Sequence, residues 1–577
     1  MRVLGPRAAL ACYLMLLAAY LGGATVPLMD DGAAKHAAIA LRIFESGDWT
    51  HLMSAGEPVL DKPHLFYWLS ALSFWVFDVD AVSYRLPSLL FSFLAVYSTI
   101  RLGTLLHNET KGRLAGVILA SAFAFLLANN DVRADAMLTG AIVFAVWQLL
   151  VFVTETNERA RPPHLIMGGL GLVLGFAAKG ALGFFAPLFI IFVYLVYHLD
   201  WKRLFDPLWL LLPPVLIVFI SPLLYAFYDQ FGFEGVKFIL WTQSIERLSG
   251  GTAGGNDPLF YYHTFLWVFL PWSLLMLWSL AHSVRRLTSD HYWPRAKGDA
   301  VTAGTIVTAF IALTKTNLHL LHYLVVLLPF FAIQLAGWLP ARLRHASTRK
   351  KLWRVQAVVF AVFAVAAFLA NGWAFPMYDW RIALGALVML VLGFWAIPFR
   401  FGGARLVTAS VAVSAAFWLL LNFNFYPNLL ESQAGTTLGR AARIAIDSRE
   451  LVPRISSADF YYVEDGGRAP SFDFAMKRIV PTLSLDAVEA LVQAGKAPVL
   501  YCKGFRDRAV GLDSPNADCR QALGERGLRV EVLDRGQEDY RVTRLSWRFL
   551  DPNTRKDTIT GVADLLRIKP APLEQIQ

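Results

Sequence analysis

Charged residues are scarce in this sequence. Asp, Glu, Lys and Arg make up 17% of its 577 residues, whereas hydrophobic residues make up 56% and aromatic residues 14%. Soluble globular domains carry about 25% charged residues, and the mean hydropathy of +0.48 is too high for one. The composition therefore excludes a soluble globular protein and predicts a protein of the lipid bilayer.

Cysteine is also rare, and the chain has no evident internal repeat or low-complexity tract. Of the three cysteines, Cys12 lies within the first apolar run and is predicted to be part of the core. Cys502 and Cys519 lie near the C-terminus, where an oxidising compartment would let them pair. Two unpaired thiols are the alternative, and the sequence leaves both open.

A signal-peptide cleavage site is the next missing feature. The first apolar run, Ala8–Val26, follows Arg2 and Arg7, as the apolar core of a signal peptide would. The run is long, however, and no clear small-residue cleavage motif precedes Met29. We therefore interpret it as the first transmembrane helix.

Apolar runs recur from the N-terminus to about Phe423, and a membrane-spanning helix needs about 20 apolar residues. They predict a polytopic α-helical membrane protein. An odd number of crossings places the C-terminus on the side opposite the N-terminus. The map has about thirteen crossings, at 8–27, 86–105, 114–128, 136–155, 164–178, 181–198, 207–228, 263–283, 300–314, 319–339, 355–371, 382–398 and 406–424.

The net charge of +10 could suggest a nucleic-acid partner, but its distribution argues otherwise. If the N-terminus is cytoplasmic, the predicted cytoplasmic loops hold 18 Lys and Arg residues against 6 acidic residues. Short cytoplasmic loops of membrane proteins show this bias. The basic balance therefore reports topology, and we predict no nucleic-acid partner, a cytoplasmic N-terminus and a C-terminus outside.

The first outer loop, 28–85, is unusually long. Its segments Ala33–Phe44 and Leu65–Phe77 are apolar but short for a crossing, and the second carries a belt of aromatic residues. Both fit helices that lie along the membrane surface. We assign this loop to a membrane domain of residues 1–424.

From about residue 425 the chain is more polar and carries short β-type runs, at Ala497–Cys502 and Leu528–Leu533. A helical pattern at Ser484–Gly495 comes just before the first of them, and Ser484 suits a helix start. Strands that alternate with helices predict a small α/β domain. We expect residues 425–577 to form this domain outside the membrane.

Charged residues gather where the predicted helices meet the outer face. Charges near the membrane are expensive and tend to mark function, although each one alone is more often a helix-end charge. Acids suit general-base catalysis, and cations suit an anionic ligand. The set comprises Asp30, Asp31, Asp61, Lys62, Asp131, Arg133, Asp135, Lys179, Arg247 and Lys315, followed by the segment Thr316–Tyr323.

Asp61, Lys62 and Pro63 stand just before the second surface segment. The compact ammonium of Lys62 suits phosphate oxygens at the depth of the lipid headgroups. Pro63 is predicted at the first position of the helix. Asp61 could orient Lys62 or help to hold a divalent cation, which is the one cofactor that the sequence suggests.

Three stretches together resemble a known family: MDDGAAKHAAIALRIFESGDW (Met29–Trp49), GEPVLDKPHLFYWLSALSFWVF (Gly56–Phe77) and SYRLPSLLF (Ser83–Phe91). They resemble the C-type glycosyltransferases, which include bacterial aminoarabinose transferases of lipid A and protein O-mannosyltransferases. The resemblance covers the whole chain and implies a similar number of crossings and a periplasmic α/β domain. It also implies transfer of a sugar from a polyprenyl-phosphate carrier, undecaprenyl phosphate in bacteria, to lipid A or another envelope acceptor at the outer face of the inner membrane.

The resemblance implies roles for the outer charges. The acid of the first outer loop falls on Asp30 or Asp31, because the spacing to Ile39 is ambiguous by one residue, and the second acid falls on Asp135. These three are the predicted catalytic acids. The predicted ligands of the donor phosphate are Lys62, Arg247 and Tyr323, with Lys179 and Lys315 as further candidates and with Asp61 and His322 in support.

Two departures from the family bear on the substrates. Relatives with Glu-Lys-Pro-Pro have Asp-Lys-Pro-His here, and Ser244 in QSIER (Gln243–Arg247) stands where the lipid A aminoarabinose transferases have His in EHIQR. The resemblance therefore predicts the chemistry and leaves the sugar and the acceptor open.

Three other functions stay open from the sequence. One is a protein O-glycosyltransferase. Another is a transporter or flippase of lipid-linked anions, which would want broken helices and charges near the bilayer midplane, whereas the acids here cluster at outer helix ends. The last is a noncatalytic assembly protein, which leaves the charged face unexplained.

Overall fold

The computed structural model describes residues 4–246, 257, 259–287, 300–315, 322–401, 405–447, 455–464, 467–505, 517–559 and 561–569. Within these ranges, eight helices are long and apolar enough to cross a membrane. The prediction of a multi-pass helical membrane protein is confirmed. The eight are Pro6–Ala24, Ala81–Leu106, Asp135–Thr154, Trp201–Thr242, Tyr323–Leu343, Ala346–Ala374, Trp380–Arg400 and Arg405–Leu430.

The other predicted crossings correspond to helices that are bent, interrupted, short or too polar to qualify as crossings by length and composition. Residues 114–128 fall in a pair of helices that meet at an angle of 53° and would count as a ninth crossing. The count of thirteen therefore stays a prediction. These helices are Glu109–Ala120 with Phe123–Asn130, Arg161–Lys179, Ala181–Tyr197, Phe260–Val268 with Ser273–Leu287, and Val301–Thr314.

A tight helical hairpin places Lys179 at the end of its helix. Gly180 has φ of +74°, which glycine adopts without steric cost, and it separates Arg161–Lys179 from Ala181–Tyr197. The two helices then touch at Gly175 and Gly183, where a Cβ on Gly175 would lie 2.5 Å from the carbonyl oxygen of Gly183. Small residues allow this close approach of backbones.

The first outer loop contains two surface helices and a hairpin. The helices are Lys35–Ser46 and Leu65–Phe77, and the hairpin pairs β1 (Met53–Ser54) with β2 (Glu57–Pro58). The predicted bounds of the second helix are confirmed, but the first begins two residues late because a turn of π-helix precedes it.

The prediction that Pro63 occupies the first helical position is wrong. His64 is the N-cap residue, and the helix begins at Leu65. The His64 ring bonds the carbonyl oxygen of Thr50 at 3.0 Å. This tertiary contact fixes the residue at which the helix starts.

In the described residues of the C-terminal part, five strands form a sheet of order β4-β3-β5-β7-β6. β3 runs parallel to β4 and β5, and β7 runs antiparallel to β5 and β6. The strands are β3 (Phe460–Val463), β4 (Thr482–Leu483), β5 (Val499–Phe505), β6 (Arg529–Asp539) and β7 (Gly561–Lys569), and the helices are Ala434–Asp447, Pro470–Met476, Leu485–Gln493, Ala517–Glu525, Trp547–Leu550 and Arg555–Thr558.

The predicted strands and the predicted helix are present in this part of the chain, which we call the C-terminal unit (residues 434–569). Ser484 caps the helix Leu485–Gln493 by accepting a hydrogen bond from the N–H of Ala487. Cys502 and Cys519 are joined in a disulfide, so the structure favours the paired alternative. Cys12 is buried within the first helix, as expected.

Candidate active site

Lys62 lies against a buried histidine that the sequence did not single out. Its Nζ is 2.9 Å from Nε2 of His36, and Nδ1 of His36 is 3.0 Å from the hydroxyl oxygen of Tyr67. A charged lysine only donates hydrogen bonds, so Nε2 accepts and the proton of neutral His36 sits on Nδ1, facing Tyr67. The ring thereby fixes the position of the ammonium.

Electrostatics agree with this assignment. Burial, together with the positive charge of Lys62, lowers the pKa of His36 well below its ordinary value, so the imidazole is neutral at physiological pH. Burial also lowers the pKa of Lys62 to about 8, although Asp61 and Asp135 act in the opposite direction. Lys62 therefore carries its charge below about pH 8, beside a neutral acceptor.

Asp135 and Lys179 form the second half of this cluster. The Lys179 ammonium donates to Oδ1 of Asp135 at 2.5 Å, and their side chains are 15% and 10% exposed. Asp135 begins one helix and Lys179 ends another, so both charges suit the dipoles of their helices. Lys179 also lies 5.6 Å from the ring centroid of Tyr323, a cation–π distance.

We call Lys62, His36, Asp135, Lys179 and Tyr323 the lysine cluster. The charges of Asp135 and Lys179 both act on Lys62, which places the two halves close together. Four of the five were predicted site residues, and the fold gathers them from the first outer loop and from three different helices. Two cations held close to a carboxylate and a phenol form a suitable receptor for a phosphate.

The two predicted acids of the first outer loop, Asp30 and Asp31, lie in a turn of π-helix, Asp30–Ala34. The N–H of Ala34 donates to the carbonyl oxygen of Met29 at 2.9 Å, a bond that spans five residues. A π-turn holds one residue more than an α-turn. From the sequence, either Asp30 or Asp31 fits the spacing to Ile39, and the two choices differ by one residue. The π-turn contains one such extra residue.

The carboxylate of Asp131 stabilises that turn. Its Oδ1 accepts the N–H of Ala33 at 3.1 Å, and its Oδ2 is bonded to Nη2 of Arg133 at 2.9 Å. A Cβ on Gly32 would lie 2.3 Å from Oδ1 of Asp131, so this approach requires glycine. Asp131 and Arg133, noted as outer charges from the sequence, thus hold the backbone of the loop.

Asp30 faces the C-terminal unit. Its carboxylate accepts the N–H of Ser471 at 2.6 Å, and its own N–H donates to Oε1 of Gln433 at 2.9 Å. Burial raises the pKa of Asp30 to about 7, and the hydrogen bond from Ser471 offsets part of that shift. Asp30 is thus an anchor between the two parts of the chain.

Asp31 also contacts the C-terminal unit, but its side chain is more exposed to solvent. Its carboxylate pairs with Arg541, and its side chain is 39% exposed. We call Asp30, Asp31, Ser471, Gln433 and Arg541 the seam cluster. The predicted catalytic acids are therefore divided, with Asp135 in the lysine cluster and Asp30 and Asp31 in the seam cluster.

Three predicted site residues lie wholly or partly outside the described residues. Arg247 lies outside the described residues, and only the backbones of Lys315 and His322 are described. Asp61 acts electrostatically on Lys62. In the part of the chain that the structure describes, no three His, Cys, Asp or Glu side chains come together as a metal site would need.

Arg85 is a buried structural residue that was not predicted from the sequence. It is 1% exposed, and its guanidinium donates to the carbonyl oxygens of Val26 at 2.6 Å and Asn130 at 2.9 Å. These carbonyls follow the first helix and end the helix Phe123–Asn130. A lone arginine within an apolar segment, in SYRLPSLLF, was the signal that could have found it.

Known proteins resemble this chain in both sequence and fold. Residues 61–225 match the model of the family described as dolichyl-phosphate-mannose-protein mannosyltransferase. The crystal structure of ArnT from Cupriavidus metallidurans, bound to undecaprenyl phosphate, superposes with a TM-score of 0.69 at 17% identity and covers 96% of each chain. The chain therefore shares the fold of that ArnT structure, and the resemblance predicted from the motifs is confirmed.

Relatives of similar sequence carry one recurring description, undecaprenyl phosphate-alpha-4-amino-4-deoxy-L-arabinose arabinosyl transferase. The protein from Pseudomonas savastanoi is 25% identical over 70% of this chain and 76% of its own length. The one from Pseudomonas paraeruginosa is 25% identical over 64% of this chain and 67% of its own length. With a relative from Pseudomonas aeruginosa, the match spans about half of that protein, 47%.

Proposed function

We propose that this protein is an integral-membrane glycosyltransferase that moves a sugar from an undecaprenyl-phosphate-type carrier to lipid A or another envelope acceptor. The single observation that carries the proposal is the lysine cluster. Two lysines, an aspartate and a tyrosine that are remote in sequence meet where a lipid phosphate would lie. The similar arabinosyl transferases and the undecaprenyl phosphate bound to ArnT support a donor of this kind.

The reaction we propose is a direct displacement at the anomeric carbon of the sugar. The acceptor oxygen forms the new bond, the bond from that carbon to the phosphate oxygen breaks, and the lipid phosphate leaves with the electron pair. Negative charge grows on the phosphate in the transition state, and cations positioned beforehand stabilise it most. Lys62 and Lys179 supply that charge, and Asp135 and His36 hold the two ammonium groups in place.

The acids of the seam cluster have different parts in this mechanism. An acceptor hydroxyl would need a base to take its proton, and Asp31 is the better candidate because its carboxylate is partly open to solvent. An acceptor phosphate is already ionised and needs no base. Asp30, which is bonded to Ser471 and Gln433, anchors the C-terminal unit in either case.

We further propose the topology that this reaction needs. The chain crosses the inner membrane of a bacterium about thirteen times, with the N-terminus in the cytoplasm and residues 425–577 in the periplasm as a separate domain. The lysine cluster then faces the periplasm at headgroup depth. Tagging each terminus for protease accessibility in spheroplasts tests this arrangement, and a C-terminal tag that is protected would refute it.

The function is tested by mass spectrometry of lipid A and of envelope glycoconjugates from cells with and without the protein. We expect one acceptor to lose a hexose- or pentose-sized mass in the deletion strain and in a strain with Lys62→Gln. Sugar lost from a protein instead of a lipid would favour the protein O-glycosyltransferase. An unchanged set of acceptors, together with a labelled donor that crosses the membrane unmodified, would favour a transporter.

A further inference from the structure

A small cavity lies between the first outer loop and the C-terminal unit. It is lined from the loop side by Arg42 and Ala55, and from the other side by Arg468, Pro470 and Asp473. Its volume is about 50 Å³. Since a bound water needs roughly 10–15 Å³, the cavity has room for a few waters or for one group of the size of a phosphate.

Arg42 reaches the cavity from the helix Lys35–Ser46. Ala38, Arg42 and Glu45 follow one another at spacings of four and three residues, so they share a face of that helix. This face is directed toward the C-terminal unit, because Oε2 of Glu45 accepts the N–H of Ile479 in that unit at 2.9 Å. Within the described ranges, the guanidinium of Arg42 has no hydrogen bond or ion pair.

Arg468 is held rigidly from the opposite side. Its guanidinium stacks 4.9 Å from the ring centroid of Tyr462, and Nη2 donates to the carbonyl oxygen of Val480 at 3.0 Å. The carboxylate of Asp473 lies 3.8 Å away. Arginine has five N–H donors in a planar fork, so these contacts leave donors for a ligand while fixing the plane in which they lie.

The charge balance of the cavity favours an anion. Two guanidinium groups face one carboxylate, and that carboxylate already accepts the N–H of Val480 at 2.9 Å. Burial raises the pKa of Asp473 to about 7, which lessens its opposing charge near neutral pH. Arginine pairs bind phosphate and carboxylate oxygens two at a time, with short charge-assisted hydrogen bonds.

The position of the cavity connects it to the reaction. His36, which holds Lys62, lies on another face of the same helix, Lys35–Ser46. A helix with its side chains is about 10 Å across, so the cavity and the lysine cluster are roughly one helix apart. An acceptor with a second charged group could place that group in the cavity while its reacting oxygen meets the donor.

We propose that Arg42 and Arg468 form an acceptor subsite that binds an anionic group, a phosphate or a carboxylate, and that the C-terminal unit supplies half of it. This rests on the proposed function. It gives the C-terminal unit a direct part in recognising the acceptor, and it makes the acceptor an anionic molecule.

The test uses the full-length protein in phosphatidylcholine nanodiscs, with transfer measured against acceptor concentration. Arg42→Gln is the main variant because, among the described residues, the Arg42 guanidinium has no hydrogen bond or ion pair to lose. We expect its KM for a phosphorylated acceptor to rise about tenfold, as loss of a charged hydrogen bond would cause, with kcat and the KM for the donor unchanged. Arg381→Gln, which removes an exposed guanidinium elsewhere, should leave all three constants unchanged.

Two further arms separate the sources of the anion. With an acceptor whose additional phosphate has been removed, the wild-type protein and Arg42→Gln should have the same KM. An effect of Arg42→Gln that appears only in phosphatidylglycerol nanodiscs would mean that the site binds a membrane headgroup, and it would overturn the proposal. An unchanged acceptor KM in Arg42→Gln would overturn it as well.

Failure of the proposed function gives a different result, namely no transfer by the wild-type protein with any acceptor. In that event, titration with inorganic phosphate followed by ³¹P NMR still decides the inference. Saturable binding by the wild-type protein that weakens about tenfold in Arg42→Gln would sustain an anion site, and equal binding by both proteins would refute it. Arg468→Lys, which keeps the charge and loses the planar fork, should weaken binding less than Arg42→Gln.

Discussion

The lysine cluster and the seam cluster have the same appearance in the sequence, charged residues at the outer ends of apolar runs. Their partners differ. Lys62 and Lys179 are held by side chains of the membrane part, His36 and Asp135, whereas Asp30 is held by Ser471, 441 residues away in the chain. Charge at a helix end therefore does not define a role, and the group that holds the charge does.

The largest expected effect comes from removing the ammonium of Lys62. Lys62→Gln should lower kcat/KM about a hundredfold or more, the usual loss when one stabilising donor is removed from a developing anion. Transfer from a labelled polyprenyl-phosphate sugar measures it. Lys350→Gln, an exposed lysine outside both clusters, is the matched control and should leave the rate unchanged.

The dependence of kcat/KM on pH tests the role of the Lys62 charge in a second way. Because the pKa of Lys62 is lowered to about 8, its ammonium is present below that pH, and kcat/KM should fall as the pH rises through about 8. Lys62→Arg should remove this alkaline decline, since a guanidinium stays charged. A decline of the same shape in Lys62→Arg would assign the titration to another group.

The Asp135–Lys179 pair should show the next largest effect. Each single change, Asp135→Asn or Lys179→Gln, removes the ion-pair partner of a nearly buried charge and should cost about 3 kcal/mol of stability. The double variant should lose less than the sum of the two, by about 2 kcal/mol. Chemical denaturation in detergent measures the cycle, and strictly additive losses would mean that the two charges do not depend on each other.

The two acids of the seam cluster should then separate by activity. Asp31→Asn should lower kcat at least tenfold if the acceptor reacts through a hydroxyl, because the general base is then lost. Asp30→Asn should keep most activity, because the amide oxygen can still accept the N–H of Ser471. The reverse order, with Asp30→Asn inactive, would move the base to Asp30.

The smallest effect concerns stability and pH. The pKa of Asp30 is raised from 3.8 to about 7, so its contribution to stability is fully present below about pH 4 and is lost as the pH rises through about 7. Asp30→Asn does not titrate and should raise Tm by about 2 °C at pH 8, with a smaller gain at pH 5. An equal change in Tm at both pH values would show that the charge of Asp30 is not the cause.

Local patterns predicted much of the fold. The helix Leu65–Phe77 was predicted with its observed bounds because an uninterrupted apolar run ends at Asp78. The strands around Cys502 followed from short β-type runs. Crossings were harder to count, since helices that bend after Ala120 or end at Gly180 look like ordinary apolar runs when only composition is considered.

The site was predictable as a set of charges and not as a set of contacts. Lys62, Asp135 and Lys179 could be selected because charge near a membrane is costly, whereas Tyr323 was selected from the family resemblance. His36 could not, because a histidine among alanines does not reveal that a lysine 26 residues away meets its ring. The anchoring of Asp30 by Ser471 is likewise a tertiary contact that no local spacing encodes.

The most direct test of the central claim is reconstitution of the full chain in proteoliposomes with a labelled undecaprenyl-phosphate sugar and lipid A. The account predicts that label moves to the acceptor with the wild-type protein and falls at least a hundredfold with Lys62→Gln. Label that crosses the bilayer on its original carrier, with no acceptor modified, would contradict it.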